Sequence, residues 1–464
     1  MAKSLHGYEI EFEKARQARP QGEPARLAQA REDALARFLA LGFPTTRDEE
    51  WRFTSVAPIA DQAFVLGRKA AAGPSHVEVV PFRLSGLFGA ELVFVDGHYA
   101  PALSSPGALP RGSRVESLAS SGPGGGESID RHLARVAPFE RQAFVALNTA
   151  LFADGACVHI PAHTIVERPI HILFVSTGEG NGGAVRHGGP RGQHWPVGSA
   201  SDPTMMSHPR VLAVLGEDSQ ASIVETYAGP AGARYFTNAV TEIALGENAV
   251  LDHYKLQHES ADAYHVGAIQ LQAARNANFS SHSISLGGAL VRNDVVAVLD
   301  GEGVACTLNG LYLGDEQRLV DNHTTIDHAR PHCDSREVYK GILADRARGV
   351  FNGKIIVRPD AQKTDAKQTN RALLLSEDAQ INTKPQLEIF ANDVKCTHGA
   401  AVGQLDDEAV FYLRSRGLGH AEARRLLIHA FAADVLNRMP IEAIRTGVEH
   451  VLQRQLAHAL ADAA

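Results

Sequence analysis

Short β-branched segments recur along the middle of this chain, each followed by a small turn of Asp, Glu, Asn and Gly. Examples are "AVLGEDSQASIVET", "IALGENAVLDHYKL", "AARNANFSSHSISL", "VLDGEGVACTLNGLYL", "LYLGDEQRLVDNHTTI" and "LLLSEDAQINTKPQLEIF". The turn centres, near Gly216, Gly246, Asn276, Gly301 and Gly314, lie mostly about 30 or about 15 residues apart. Repeated strand–turn units without helices between them predict a solenoid, in which each coil stacks on the last and buries a shared core. A β-sandwich also yields many short strands, but one of this length without a long connection would be unusual. The expected core is a parallel β-helix over residues 151–405.

Helical patterning flanks it. In residues 1–150, "EPARLAQAREDALARFLALGFP" puts Leu27, Leu35, Phe38 and Leu39 near one stripe, and Gly42 with Pro44 stops the helix. "AELVFVDGHYA" reads as a strand, and "PFERQAFVALNTALFADG" as a second helix. Residues 104–127, rich in Gly, Ser and Pro, are expected to be a loop or linker. Residues 176–209 hold almost no aliphatic side chains, so a long mobile loop is expected there. Residues 406–464 predict three helices, a docking module or a solenoid cap. Asp406 or Asp407 starts the first. Leu426, Leu427, Phe431, Val435 and Leu436 mark the stripe of the second, and Pro440 fits the first turn of the third.

A net charge of −8 argues against nucleic acid as a partner. No apolar run approaches the roughly 18 residues that span a bilayer, and "MAKSLHGYEIEFEKAR" lacks a signal-peptide core. Cys157, Cys306, Cys333 and Cys396 are too scattered for a disulfide framework, which fits a reducing compartment. The expected location is the cytoplasm.

Familiar catalytic motifs fail on context. Gly178, Gly180 and Gly183 satisfy G-x-G-x-x-G, but "AVRHGGPRGQHWPVG" cannot supply the helix that would hold a pyrophosphate. "RARGVFNGKII" has three residues between Gly349 and Gly353, not four, and Ile355 where a magnesium-binding hydroxyl belongs. His323, His328, His332 and Cys333 cluster in "DNHTTIDHARPHCDS" at a spacing that suits no standard zinc site. The three histidines still leave a metal-dependent β-helix enzyme as an alternative. In "DVKCTHGAAVG", strand alternation puts Val394, Cys396 and His398 on one face. They are either core filler or two ligands of a soft-metal site whose remaining groups come from elsewhere.

"DVKCTHGAAVGQLDDEAVFYLRSRGL" closely resembles the signature of the SufB/SufD family of iron–sulfur cluster assembly factors. So do "EEWRFTSV", "ALNTALFADGACVHIPAHTIVERPIHILFV", "LLIHAFAADVL" and the long block from Arg336 to Gly403. The resemblance implies a right-handed β-helix flanked by helical regions. It also implies a non-catalytic scaffold in a SufBC2D-type complex, with a SufB-like paralogue beside this chain and a SufC-type ABC ATPase on its C-terminal helices. A transient iron–sulfur cluster would form at the interface with the paralogue, no cofactor being held permanently, and Cys396 and His398 map onto the candidate ligands. The isolated chain could pair with itself. A purely structural solenoid is the remaining alternative. Ala401 stands where the family usually has threonine, and the insert at 176–209 is longer than expected.

Overall fold

The computed structural model describes residues 2–19, 23–69, 83, 86–120, 126–178 and 204–461. Its core consists of two parallel sheets whose strands alternate along the chain. Sheet A stacks β5 (Gly155–Ile160), β8 (Arg210–Leu215), β10 (Tyr235–Leu245), β12 (Tyr264–Ala273), β14 (Leu290–Leu299), β16 (Leu319–His328), β18 (Arg348–Val357) and β20 (Gln380–Ile389). Sheet B stacks β6 (Ile170–Val175), β9 (Gln220–Ala228), β11 (Val250–His258), β13 (Asn278–Ser285), β15 (Ala305–Gly314), β17 (Asp334–Leu343), β19 (Asp365–Leu374) and β21 (Lys395–Gly403). Each coil gives one strand to each sheet. The interval of about 30 residues is therefore a full coil and that of about 15 a half coil.

Backbone ladders at the corners keep the coils in step. Asp218, Asn248, Asn276, His332 and Lys363 adopt left-handed backbone conformation at one corner. There each N–H donates to a carbonyl of the next coil: Asp218 to Glu247, Asn248 to Arg275, Asn276 to Glu302, His332 to Gln362, Lys363 to Asp393. Asp and Asn tolerate that conformation better than most residues. Their side chains extend the ladder, Asn248 Nδ2 donating to Asp218 Oδ1 at 2.8 Å.

The first coil is closed. There β2 (Ala90–Val95) pairs with β6 and, antiparallel, with β3 (His98–Tyr99), while β4 (Arg114–Ser117) runs antiparallel to β5. Strand β4 lies inside the stretch 104–127 expected to be a linker, which corrects that reading. Glycine and proline around it mark real turns, but Val115 between them is buried and Ser117 Oγ donates to Asp154. The expected loop at 176–209 was also too wide. Residues 179–203 lie outside the described residues, yet β7 (Thr204–Ser207) pairs with both β1 (Phe64–Leu66) and β10, with Met205 and Met206 fully buried.

The two helical regions cover the outer faces of different sheets. The N-terminal helices are α1 (Ala2–Ala18), α2 (Ala25–Leu41), α3 (Ala57–Ala60), α4 (Gly126–His132) and α5 (Ala143–Leu151). Tyr8, Phe12, Phe38 and Phe144 from this group meet Phe236, Val266, Leu290 and Leu319 of sheet A. At the other end, Asp406 caps α6 (Asp407–Ser415) by accepting from Glu408 N and Ala409 N. Then α7 (His420–Leu436) and α8 (Glu442–Ala461) pack on sheet B, with Ile428, Ala432, Val435 and Leu436 against Tyr254, Ile284, Leu311 and Ile342. The stripe of α7 is rotated from the expected one. Val435 and Leu436 are buried, but Leu426 is exposed, because small Ala423 and Ala432 share the covered face. Pro440 falls just before α8 rather than in its first turn.

Candidate functional site

The two ends of the solenoid differ. At the far end, β20 and β21 each have a neighbour on one side only, so among the described residues their outer edges carry unpaired backbone groups. Such an edge is a template for a further strand. The side chains around it are apolar and uncovered: Ile389, Val402 and Phe390, the last 62% exposed. Pro385, inside β20, fits only an edge strand, and it is the sequence signal for this open end that the strand–turn pattern alone did not use.

Parallel register explains why a thiol and an imidazole share a strand face. Cys396 pairs with Ala366, which pairs with Ser335 and then Cys306. His398 pairs with Gln368, which pairs with Glu337. Ala366, Ser335, Cys306, Gln368 and Glu337 are all buried, so both columns point into the solenoid interior. Cys396 and His398 are their last members. Cys396 packs partly against Ile355, Val357, Ala366 and Ala391, and that burial raises its thiol pKa. His398, with no coil stacked beyond it, is exposed. The face is thus an interior face that the last coil leaves open. Two soft donors stand at its mouth, one still embedded in the core. They complete no tetrahedral site alone, and a second chain seated on this edge would bring its own groups within reach.

Behind His398 lies a polar track that the sequence reading missed. Gln368 Nε2 donates to Glu337 Oε2 at 2.8 Å inside the core. Burial pushes the Glu337 carboxyl up to about 7. The signal was periodic: Glu337, Gln368 and His398 follow one another at the coil interval.

The three histidines of the alternative reading do not converge. His323 points outward from β16, its Nδ1 3.2 Å from Glu50 Oε2 and its Nε2 3.1 Å from Asp321 Oδ1. His328 points inward, its Nε2 3.0 Å from Ser335 Oγ, and burial holds it down at about 4. His332 occupies a corner slot of the ladder and is exposed. Among the described residues, no group of three or more His, Cys, Asp or Glu could hold a metal ion. The "EEWR" stretch forms a strap over sheet A. Glu50 reaches His323, Asn352 and Lys354, Trp51 stacks 4.3 Å from the Arg292 guanidinium, and Glu49 meets Lys384 at 2.6 Å. Gly353 and Lys354 sit within β18, so "RARGVFNGKII" makes no phosphate loop.

Comparison with known families agrees with this architecture. Residues 197–431 match the family described as SUF system FeS cluster assembly, SufBD core domain, and residues 2–172 match the SufBD protein N-terminal region. The chain belongs to the SufBD family. An iron–sulfur cluster assembly SufBD family protein of Synechocystis is 33% identical over 91% of this chain and 90% of its own length. The iron–sulfur cluster assembly protein SufD of Escherichia coli is 33% identical over 89% of each chain, and SufD of Bacillus subtilis 26% identical over 68% of each. This SufBD chain is SufD-like, and the core match takes in both edge strands of its open end as well as α6. No helix among its described residues is long and apolar enough to cross a membrane.

Proposed function

We propose that this chain is the SufD-type scaffold subunit of a cytoplasmic SufBC2D-type complex. It pairs through its open last coil with a SufB-like paralogue and supplies Cys396 and His398 to a nascent cluster between them. One observation carries the reading: the interior columns end at an unpaired, apolar-rimmed edge with a thiol and an imidazole at the mouth. Thiolate and imidazole suit iron in cluster chemistry. The cluster is cargo, which a single rigid subunit with four ligands would retain. Ligands divided between two chains can be separated again when the chains move.

The chain itself does no catalysis in this scheme. ATP is hydrolysed by a SufC-type ATPase docked on the C-terminal helices. The buried stripe of α7 is engaged by sheet B, so docking uses the apolar side chains that the C-terminal helices leave uncovered: Phe411, 72% exposed, and Tyr412 on α6, and Leu426 on α7. Co-expression of the tagged chain with its paralogue and ATPase tests the assembly. The account expects one complex of SufBC2D proportions. A chain that elutes alone, or with the ATPase but without the paralogue, refutes it.

A further inference from the structure

We propose that Gln368 is a positioning residue for His398: its side-chain oxygen, which has no donor in this arrangement, takes one ring N–H of His398 when the exposed ring turns toward it, and leaves the second ring nitrogen aimed at the mouth of the solenoid. This deepens the preceding reading of the site and rests on it for the identity of the cargo. The two residues are direct partners in the β19–β21 register, and same-face neighbours on paired strands stand about 4.8 Å apart. Gln368 is 2% exposed, and its Oε1 accepts no hydrogen bond from any described residue. A buried carbonyl oxygen left without a donor is costly.

The orientation of that oxygen is set from behind. Gln368 Nε2 is committed to Glu337 Oε2 at 2.8 Å, so the amide presents its oxygen as the free end. Space for the amide comes from the opposite sheet, where a Cβ at Gly353 would fall 2.1 Å from Gln368 Nε2. Glycine at 353 therefore holds the place open.

A neutral imidazole has one N–H and one lone pair, and whichever nitrogen is hydrogen-bonded fixes the other as ligand. Histidine ligands are commonly oriented in this way by an oxygen behind them, and removing that oxygen typically weakens metal binding about 10–100-fold. With that bond made, Glu337, Gln368 and His398 form a relay of fixed direction from the core to the open end, of which the Gln368–Glu337 step is already in place. Cys396 has no such support, because Ala366 and Ser335 precede it in its column.

The test uses the full-length chain labelled with 15N-histidine, with His398 assigned by its loss in His398→Ala. The wild type should show widely separated ring nitrogens, the sign of a single tautomer. Gln368→Met should draw them together, and the exchanged pair Glu337→Gln with Gln368→Glu should restore the separation. Should the Met variant fail to fold, Gln368→Asn, which keeps the amide but shortens it, gives the same reading. In the assembled complex, ferrous iron and sulfide added anaerobically should bind about tenfold more weakly to the Met variant. Unchanged ring signals in a folded Met or Asn variant overturn the inference. Loading that ignores His398→Ala while the tautomer still responds to residue 368 refutes the cluster site and leaves the positioning role standing.

Discussion

Lys340 of β17 and Asp434 of α7 pin the C-terminal helices to the solenoid, with Nζ 2.9 Å from Asp434 Oδ2. The lysine is buried, donates also to the Phe431 carbonyl at 2.9 Å, and lies 4.5 Å from the Phe431 ring centre. The helices are thus a wall of the core and not an appendage. Removing residues 407–464 would uncover Tyr254, Ile284, Leu311 and Ile342, so point variants are the sounder probes. Lys340→Met should cost about 1.5–3 kcal/mol. Hydrogen exchange should then rise in residues 420–456 before it rises in the sheets, and unchanged exchange there would contradict the anchoring role.

Met206→Ala tests the corrected boundary of the loop. The side chain is fully buried in β7 among Phe64, Phe236 and the N-terminal helices, so truncation should cost about 2–5 kcal/mol in urea denaturation. A loss below about 1 kcal/mol would return residues 204–207 to the periphery.

The solenoid was legible because its signal is repeated at every corner, while single departures from the repeat were not. The turns at Gly216, Gly246 and Asn276 announced the coils, although Asp218 and Asn248, two residues after the glycines, take the left-handed conformation. The helix at Ala25–Leu41 was marked by its spacing and by Gly42. Strand β4 and Met205–Met206 were hidden because a strand of four residues has no period to detect. His332 looked like a metal ligand in the sequence because composition does not distinguish a corner residue from a converging one. Cys396 and His398 were visible from alternation, but their interior face and Gln368 behind them required the register.

The strap over sheet A should respond to pH at both ends. The hydrogen bond from His323 holds the Glu50 carboxyl at about 2, below its ordinary value of about 4.3. Its contribution is present above the ordinary value and is lost as pH falls toward about 2. Burial lowers His323, but Asp321 and Glu50 outweigh it and raise its pKa. That contribution is complete below about 6.5 and is lost as pH rises through the raised value. In a Trp195→Phe background, Trp51 fluorescence should therefore report a strap held best between about pH 4.3 and 6.5. Glu50→Gln should remove the acid transition, and an acid transition that persists would refute this assignment.

Phe411→Asp addresses docking without touching the core, since the ring is exposed on α6. The variant should keep its melting temperature within about 2 °C and lose co-purification with the SufC-type ATPase, because surface changes are usually nearly neutral in stability. Retention of the ATPase at wild-type level would place the docking surface elsewhere.

The most direct test is anaerobic loading of the assembled complex carrying His398→Ala, read as iron and sulfide bound per complex. The exposed imidazole supports no packing, so elution volume should match wild type and stability should fall by no more than the one hydrogen bond to Gln368, about 1 kcal/mol, while cluster content falls, with Cys396→Ala giving a weaker loss. Full loading by a complex that carries both substitutions would contradict the account and return these residues to structure.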